Sequence, residues 1–144
     1  NKVVLEWLKK QDYSVIKPEF TFGKSRFDFY LEKVDSVTGK TEKILMEVKG
    51  CTLEVNGVGY FPDAPTERGV KHLKELTAAV SEGYKSILAF VIQMEGVTEV
   101  FPNVKTHPEF AFTLEEAQKA GVEVWFLPCK VEPEHLEIIN CIKV

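Results

Sequence analysis

The sequence is poor in the features that mark disulfide-bonded, membrane-spanning or strongly basic proteins. Its three cysteines, Cys51, Cys129 and Cys141, are odd in number and lack CxxC spacing, so we predict reduced, mostly buried thiols in a cytosolic protein. The longest apolar stretches, such as residues 87–92, fall well short of the roughly 20 residues that a transmembrane helix needs. Because the net charge is −4, any nucleic-acid contact must come from a local basic patch.

The chain also lacks internal repeats, low-complexity tracts and any sign of a second domain. It begins at Asn1 without an initiator Met or an apolar signal region, so we expect that part of a longer protein has been removed. Its 144 residues, 44% of them hydrophobic and 28% charged, are typical of one globular domain with a single core. The composition therefore excludes disordered and fibrous proteins.

Hydrophobic periodicity predicts alternating helices and strands. In residues 26–32, Phe27, Phe29 and Leu31 alternate with Asp28 and other polar residues, which indicates a strand with one apolar face. The order predicts an α/β fold in which a mixed sheet is flanked by helices. The predicted helices cover residues 1–11, the segment from the N-cap Thr66 to Gly83, and residues 114–120; the predicted strands cover 13–22, 26–32, 43–49, 84–93 and 122–127, with a further edge strand in 136–144 and a loop over residues 56–65.

Two carboxylates and a lysine are expected to meet on adjacent strands. Glu47 and Lys49 are two residues apart, so both side chains lie on one face of their strand, and Asp28 lies on the preceding strand of a predicted hairpin. Converging carboxylates repel each other, and a hard cation such as Mg²⁺ or Mn²⁺ relieves the repulsion. An ExK pair is also common on solvated sheet faces, but this one follows an apolar run and precedes a glycine-containing loop. The pattern predicts a metal-dependent hydrolytic site.

The hairpin and its flanking elements resemble the PD-(D/E)XK nuclease core, with the order αβββαβ. Three segments are more specific: GKSRFDF at residues 23–29, MEVKGCTL at 46–53 and YFPDAPTERGVKHLKEL at 60–76. Together they resemble the C-terminal, nuclease-like domain of the sugar fermentation stimulation protein A family, and the likeness extends over most of the chain. That family usually carries an OB-like domain in front of this one, which we expect to be missing from this chain. Its members are described as DNA-binding.

The resemblance implies specific roles for residues at the predicted site. It makes Asp28 and Glu47 metal ligands, with the Val48 carbonyl as a third, and it makes Lys49 the catalytic base or charge stabiliser. Glu6 on the first helix occupies the place of an additional acid in many such nucleases. The helical wheel turns Glu6 away from the apolar stripe, however, so solvent exposure is the preferred interpretation and Glu6 is a secondary candidate.

Several polar residues near the predicted site are candidates for substrate binding. Arg68 and Lys71 lie three residues apart on one helical face and are suited to grip a phosphate. Alternatively, Asp63 and Thr66 only cap the helix, while the cations form a solvated surface with intrahelical ion pairs. His107 and His135 are expected to be structural or exposed. The full set of substrate-binding candidates is Ser25, Arg26, Asp63, Arg68, Lys71 and His72.

The sequence leaves more than one function open. The first is a Mg²⁺- or Mn²⁺-dependent phosphodiesterase acting on nucleic acid, with DNA as the expected partner and no membrane association. The second is a non-catalytic nucleic-acid-binding or regulatory module on the same scaffold. A third, an unrelated partner surface with a vestigial acidic site, has no positive feature in the sequence.

Overall fold

The computed structural model describes residues 1–144 as three helices and ten strands. No helix is long and apolar enough to cross a membrane. The helices are α1 (Lys2–Lys9), α2 (Glu67–Ser81) and α3 (Pro108–Lys119). The strands are β1 (Val15–Phe22), β2 (Ser25–Val34), β3 (Thr41–Cys51), β4 (Leu53–Val55), β5 (Val58–Phe61), β6 (Lys85–Ile92), β7 (Val100–Pro102), β8 (Glu123–Glu132), β9 (His135–Ile138) and β10 (Ile142–Lys143).

A seven-stranded mixed sheet forms the centre of the fold. Its order is β1-β2-β3-β6-β8-β10, with β9 also pairing with β8. Strands β1, β2 and β3 form an antiparallel meander, and β3, β6 and β8 then run parallel. Strands β4, β5 and β7 make a separate small sheet. The mixed α/β architecture predicted from the sequence is therefore confirmed.

The large sheet buries both of its faces. Helices α2 and α3 pack on one face through residues that include Leu73 and Phe110, while α1 packs on the other face through Val4 and Leu8. The prediction of one apolar face on β2 was wrong, since apolar side chains of β2 contribute to both clusters. A central strand covered on both sides is mostly apolar at every position, so alternation alone does not identify its faces.

Strand β2 loses its regular alternation at Asp28. Phe27 and Tyr30 belong to the cluster under α2, whereas Phe29 and Leu31 belong to the cluster under α1. Backbone pairing between β2 and β3 also ends here, because Phe29 opposite Met46 is the final pair of the ladder on this side. The two strands therefore separate at Asp28 and Glu47, and the side chains of these two residues lie between them.

The predicted helices and strands are confirmed along most of the chain, but the small sheet was missed. Residues 56–65 were predicted to form a loop, whereas Val58–Phe61 pairs with both Leu53–Val55 and Val100–Pro102. Such short strands carry little local signal, since partners distant in sequence stabilise them. Helix α3 begins at Pro108 and not near residue 114, and proline at the first helical turn is well tolerated.

Helix α2 starts where the sequence predicts, at the N-cap Thr66. Its Oγ1 accepts a hydrogen bond from the Gly69 N–H at 2.9 Å. The Thr66 N–H donates to Nδ1 of His107 at 3.0 Å, which ties the start of α2 to the start of α3. A Cβ at Gly69 would lie 2.8 Å from Thr66 Cγ2 and 3.2 Å from Phe110 Cε1, so only glycine fits this close approach. These contacts fix α2 over the sheet face that carries Glu47 and Lys49.

Candidate active site

Asp28 and Glu47 hold each other in place at the fork between β2 and β3. The Asp28 N–H donates to Glu47 Oε1 at 3.1 Å, and the Val48 N–H donates to Asp28 Oδ2 at 2.7 Å. Each carboxylate thus accepts a backbone hydrogen bond from the neighbouring strand, in place of the ladder that ends there. Asn1 Nδ2 donates to Asp28 Oδ1 at 2.6 Å. The predicted convergence of the two carboxylates is confirmed.

Glu47, Lys49 and His72 form a compact triangle under helix α2. Glu47 Oε2 lies 2.5 Å from His72 Nδ1 and 3.6 Å from Lys49 Nζ. His72 Nδ1 is in turn 2.7 Å from Lys49 Nζ. Glu47 is only 3% exposed and His72 only 8%. No buried side-chain nitrogen or oxygen lacks a hydrogen-bond partner.

Burial and the charges of neighbouring groups shift the pKa values of Asp28, Glu47 and Lys49. Burial, together with the hydrogen bond and negative charge of Glu47, raises the pKa of Asp28. Burial alone would raise the pKa of Glu47, but hydrogen bonds from His72 and Asp28 and the charges of His72 and Lys49 outweigh it and lower that pKa. Burial lowers the pKa of Lys49, against the opposing effect of Glu47 and Asp28. Unequal pKa values of neighbouring titratable groups are typical of acid-base sites.

An open cavity of about 340 Å³ gives solvent access to the two carboxylates. Asp28 and Glu47 lie in its wall together with Arg26 of β2 and Arg68 of α2. Arg68 is exposed and has no ion pair. Arg26 Nη2 lies 3.3 Å from Glu19 Oε1, and the side chains of both residues are exposed. The cavity therefore places two guanidinium groups around two carboxylates. This combination suits an anion that contacts both the arginines and a cation held by the carboxylates.

The structure brings only some of the other predicted site residues to this cavity. Ser25 is engaged by Glu75 of α2, to which its hydroxyl donates at 2.5 Å. Asp63 and Lys71 are exposed and form no side-chain hydrogen bond or ion pair, so the alternative of intrahelical ion pairs for Arg68 and Lys71 is not found. Glu6 is exposed and lines a separate pocket with residues 135–138. It is not placed with Asp28 and Glu47.

Sequence reasoning missed three side chains at the site. Asn1 binds Asp28, Glu75 binds Ser25, and Glu19 lines the cavity beside Arg26. Glu19 adopts a φ of 55°, a left-handed conformation that is uncommon for a residue other than glycine, and it is skipped in the pairing of β1 with β2. Pro18 indicated an edge or bent position in the sequence, but it did not identify Glu19 as a residue of the site. His72 was expected to contact substrate, and the structure instead buries it against Glu47.

The donor set suits a hard divalent ion only in part. No group of three or more His, Cys, Asp or Glu side chains is arranged to hold a metal ion. Asp28 and Glu47 supply carboxylate oxygens, each of which retains a lone pair beyond its hydrogen bond. Mg²⁺ commonly takes one or two carboxylates and completes its shell with water and phosphate oxygens. Two carboxylates at the wall of an open cavity fit that pattern.

These features define a mixed α/β domain with a buried carboxylate, carboxylate and lysine site at a fork of its central sheet. Comparison with known proteins agrees over nearly the whole chain. Residues 1–135 match the family model described as the sugar fermentation stimulation protein RE domain. The chain therefore belongs to the sugar fermentation stimulation protein family.

Individual relatives support the family assignment. A sugar fermentation stimulation protein homolog of Clostridium beijerinckii is 48% identical over 148 residues, covering 100% of this chain and 63% of the relative. One of Desulfitobacterium hafniense is 50% identical over 140 residues, covering 95% of this chain and 59% of the relative. A solved structure, described as Pyrococcus furiosus SfsA in complex with Ca²⁺, matches with a TM-score of 0.77 and 28% identity, covering 99% of this chain and 58% of that chain. The chain spans about three fifths of the length of these relatives.

Proposed function

We propose that this chain is a divalent-metal-dependent phosphodiesterase domain that cleaves nucleic acid, with DNA as its substrate. The observation that carries the proposal is the interlocked pair Asp28 and Glu47 beside Lys49, buried at its base and open to a cavity lined by Arg26 and Arg68. The carboxylates supply hard oxygen ligands, the lysine supplies a proton-transferring or charge-stabilising group, and the arginines supply phosphate contacts.

The order of elements supports a nuclease core of the PD-(D/E)XK type. Helix α1, the antiparallel strands β1 to β3, helix α2 and strand β6 follow the order αβββαβ. The hairpin β4-β5 is inserted between β3 and α2. In this frame Asp28 and Glu47 come from the second and third strands, and α2 covers them.

Asp28 and Glu47 are proposed to hold Mg²⁺ or Mn²⁺, with the Val48 carbonyl as a third ligand. The Pyrococcus furiosus relative is described in complex with Ca²⁺, which also prefers oxygen ligands, and this supports a divalent-cation site in the family. When bound, such an ion polarises a phosphoryl oxygen and acidifies a bound water. Burial, and after it the hydrogen bond and negative charge of Glu47, raise the pKa of Asp28, and a bound cation would favour its ionised form.

Lys49 and the arginines would act on the phosphate and on the attacking water. Burial lowers the pKa of Lys49, which increases the fraction of uncharged amine and favours a role as proton acceptor. In its charged form the same group stabilises negative charge on the phosphate. Arg26 and Arg68 orient the phosphate from opposite elements of the cavity. Ser25 begins β2, Asp63 precedes α2, and Lys71 lies three residues after Arg68 on α2.

The acidic net charge confines substrate binding to this local patch. With a net charge of −4, the chain has no general attraction for a polyanion. Since the relatives are longer, the activity and partners of a whole protein of this family are part of the proposal. We also propose a cytoplasmic location, because all three cysteines are free and thiols persist in reducing compartments.

Incubation with supercoiled and single-stranded DNA in Mg²⁺ or Mn²⁺ tests the proposed activity. We expect cleavage that requires the divalent ion and is blocked by EDTA. Binding to DNA with strong salt dependence but without cleavage would instead identify a non-catalytic binding module and reject the phosphodiesterase. Neither binding nor cleavage would reject both functions for this domain.

Arg68 gives a prediction about binding alone. Arg68→Gln is expected to weaken affinity for a labelled single-stranded oligonucleotide in EDTA roughly 3- to 10-fold, because one phosphate contact is lost. The slope of log K against log salt should become shallower by about 0.7, which fluorescence anisotropy at several salt concentrations measures. Lys74→Gln removes the same charge from an exposed position of α2 outside the cavity and serves as control. Equal losses in the two variants would show that only net charge matters.

A further inference from the structure

His72 links helix α2 to both charged ends of the motif on β3. Its Nδ1 atom lies between Glu47 Oε2 at 2.5 Å and Lys49 Nζ at 2.7 Å. The direct separation of Lys49 Nζ and Glu47 Oε2 is 3.6 Å, beyond ordinary hydrogen-bond length. One imidazole nitrogen therefore contacts both the acid and the amine, which form only a longer ion pair with each other.

The shorter contact determines where the imidazole hydrogen lies. An ionised carboxylate only accepts hydrogen bonds, and a bare Nδ1 would present a lone pair to Oε2 at 2.5 Å. That arrangement is repulsive, whereas an Nδ1–H donates to Glu47. The same hydrogen leaves Lys49 Nζ, 2.7 Å away, without an acceptor on this nitrogen, so the close contact between His72 and Lys49 is not a hydrogen bond from the lysine. The hydrogen thus belongs on Nδ1, and Glu47 accepts from His72 on one oxygen and from the Asp28 backbone on the other.

We propose that His72 is a positioning residue that fixes the orientation of the Glu47 carboxylate and keeps the Lys49 amine from collapsing onto it. Glu47 is then held on both oxygens in the position from which it faces Asp28, and Lys49, whose side chain is 15% exposed, keeps its amine 3.6 Å from Glu47 Oε2. The contribution of His72 to turnover rests on the proposed function, whereas the hydrogen bond and the separation of Lys49 from Glu47 do not. This role differs from the substrate contact that the sequence suggested for His72.

The three histidines of the chain allow an internally controlled test. Long-range ¹H–¹⁵N correlation spectra of the metal-free protein at neutral pH report which imidazole nitrogen carries hydrogen. We expect His72 to carry it on Nδ1. His107 should carry it on Nε2, since its Nδ1 accepts from the Thr66 N–H at 3.0 Å. His135 is exposed, and no hydrogen bond of its ring fixes which nitrogen carries the hydrogen. A bare Nδ1 on His72 would overturn the proposal.

Two substitutions separate positioning from packing. His72→Leu removes the donor and is expected to weaken Mn²⁺ binding by about 10- to 100-fold in titration calorimetry, the usual loss when a ligand loses its hydrogen-bond partner. His72→Asn places an amide N–H on the same Cγ and should recover part of that affinity. His135→Leu is the matched control and should leave it unchanged.

A crystal structure of His72→Leu gives the second readout. Lys49 Nζ and Glu47 Oε2 should move from 3.6 Å to within hydrogen-bond distance. An unchanged separation, or Mn²⁺ affinity equal to that of the wild type, would contradict a positioning role. Absence of DNA cleavage in the wild type would reject the proposed function and leave the assignment of the imidazole hydrogen intact, so the two failures are distinguishable.

Discussion

Replacing Lys49 with methionine is expected to lower the rate of metal-dependent DNA cleavage by about 100-fold or more, the usual effect of removing one positioned group that stabilises transition-state charge. Methionine keeps most of the aliphatic stem, which lies in register with Phe90, and removes the amine. The rate of plasmid nicking under saturating Mn²⁺ measures the effect. Lys43→Met, at an exposed position of the same strand, is the control and should retain full activity.

Asp28→Asn and Glu47→Gln should abolish cleavage for a different reason. Each removes a carboxylate charge that the proposed ion requires, so Mn²⁺ binding should be lost together with activity. Lys49→Met should retain Mn²⁺ binding, because the amine is not a ligand. Glu42→Gln, on the same strand and half exposed, controls for the loss of a carboxylate. Cleavage that survives Asp28→Asn or Lys49→Met, measured in protein purified free of other nucleases, would show that chemistry occurs elsewhere.

Phe90→Ala is expected to lower the free energy of unfolding by about 3–5 kcal/mol, as large core truncations do. The ring is 1% exposed and packs against Phe61 at 5.3 Å and Phe126 at 6.3 Å between ring centroids. Through its contact with Phe61, the Phe90 ring therefore connects the central sheet to the small sheet. The melting temperature should fall by roughly 6–20 °C in thermal unfolding followed by circular dichroism.

Phe112→Ala provides the matched control for that loss. Phe112 is 64% exposed on α3, so its truncation removes little buried surface and replaces it with a better helix former. A change within about 0.5 kcal/mol is expected. If Phe90→Ala and Phe112→Ala lowered the free energy of unfolding equally, the packing described for the core would be wrong.

Strand periodicity was enough to predict the centre of the site. Glu47 and Lys49 share a face because they are two residues apart in an extended strand, and the turn after β2 returns the chain beside Asp28. In the structure Asp28 and Glu47 lie together in the wall of the cavity, and Lys49 Nζ lies 3.6 Å from Glu47 Oε2. Their roles as metal ligands and catalytic base remain predictions.

The features that the sequence did not predict depend on contacts between segments distant along the chain. His72 reaches Glu47 only because α2 packs over β3, and no periodicity within α2 specifies that partner. The small sheet depends on parallel pairing of Val58–Phe61 with Val100–Pro102, far apart along the chain. Burial of β2 on both faces depends on α1 covering one side and α2 the other. Each of these follows from tertiary packing and carries little local signal.

Diffraction from a crystal soaked in Mn²⁺ tests the central claim most directly. The account predicts an anomalous peak bonded to both Asp28 and Glu47, at the wall of the cavity that Arg26 and Arg68 line, and loss of that peak in Asp28→Asn. Carboxylates that keep their present hydrogen bonds, with no anomalous density between them at saturating Mn²⁺, would contradict it.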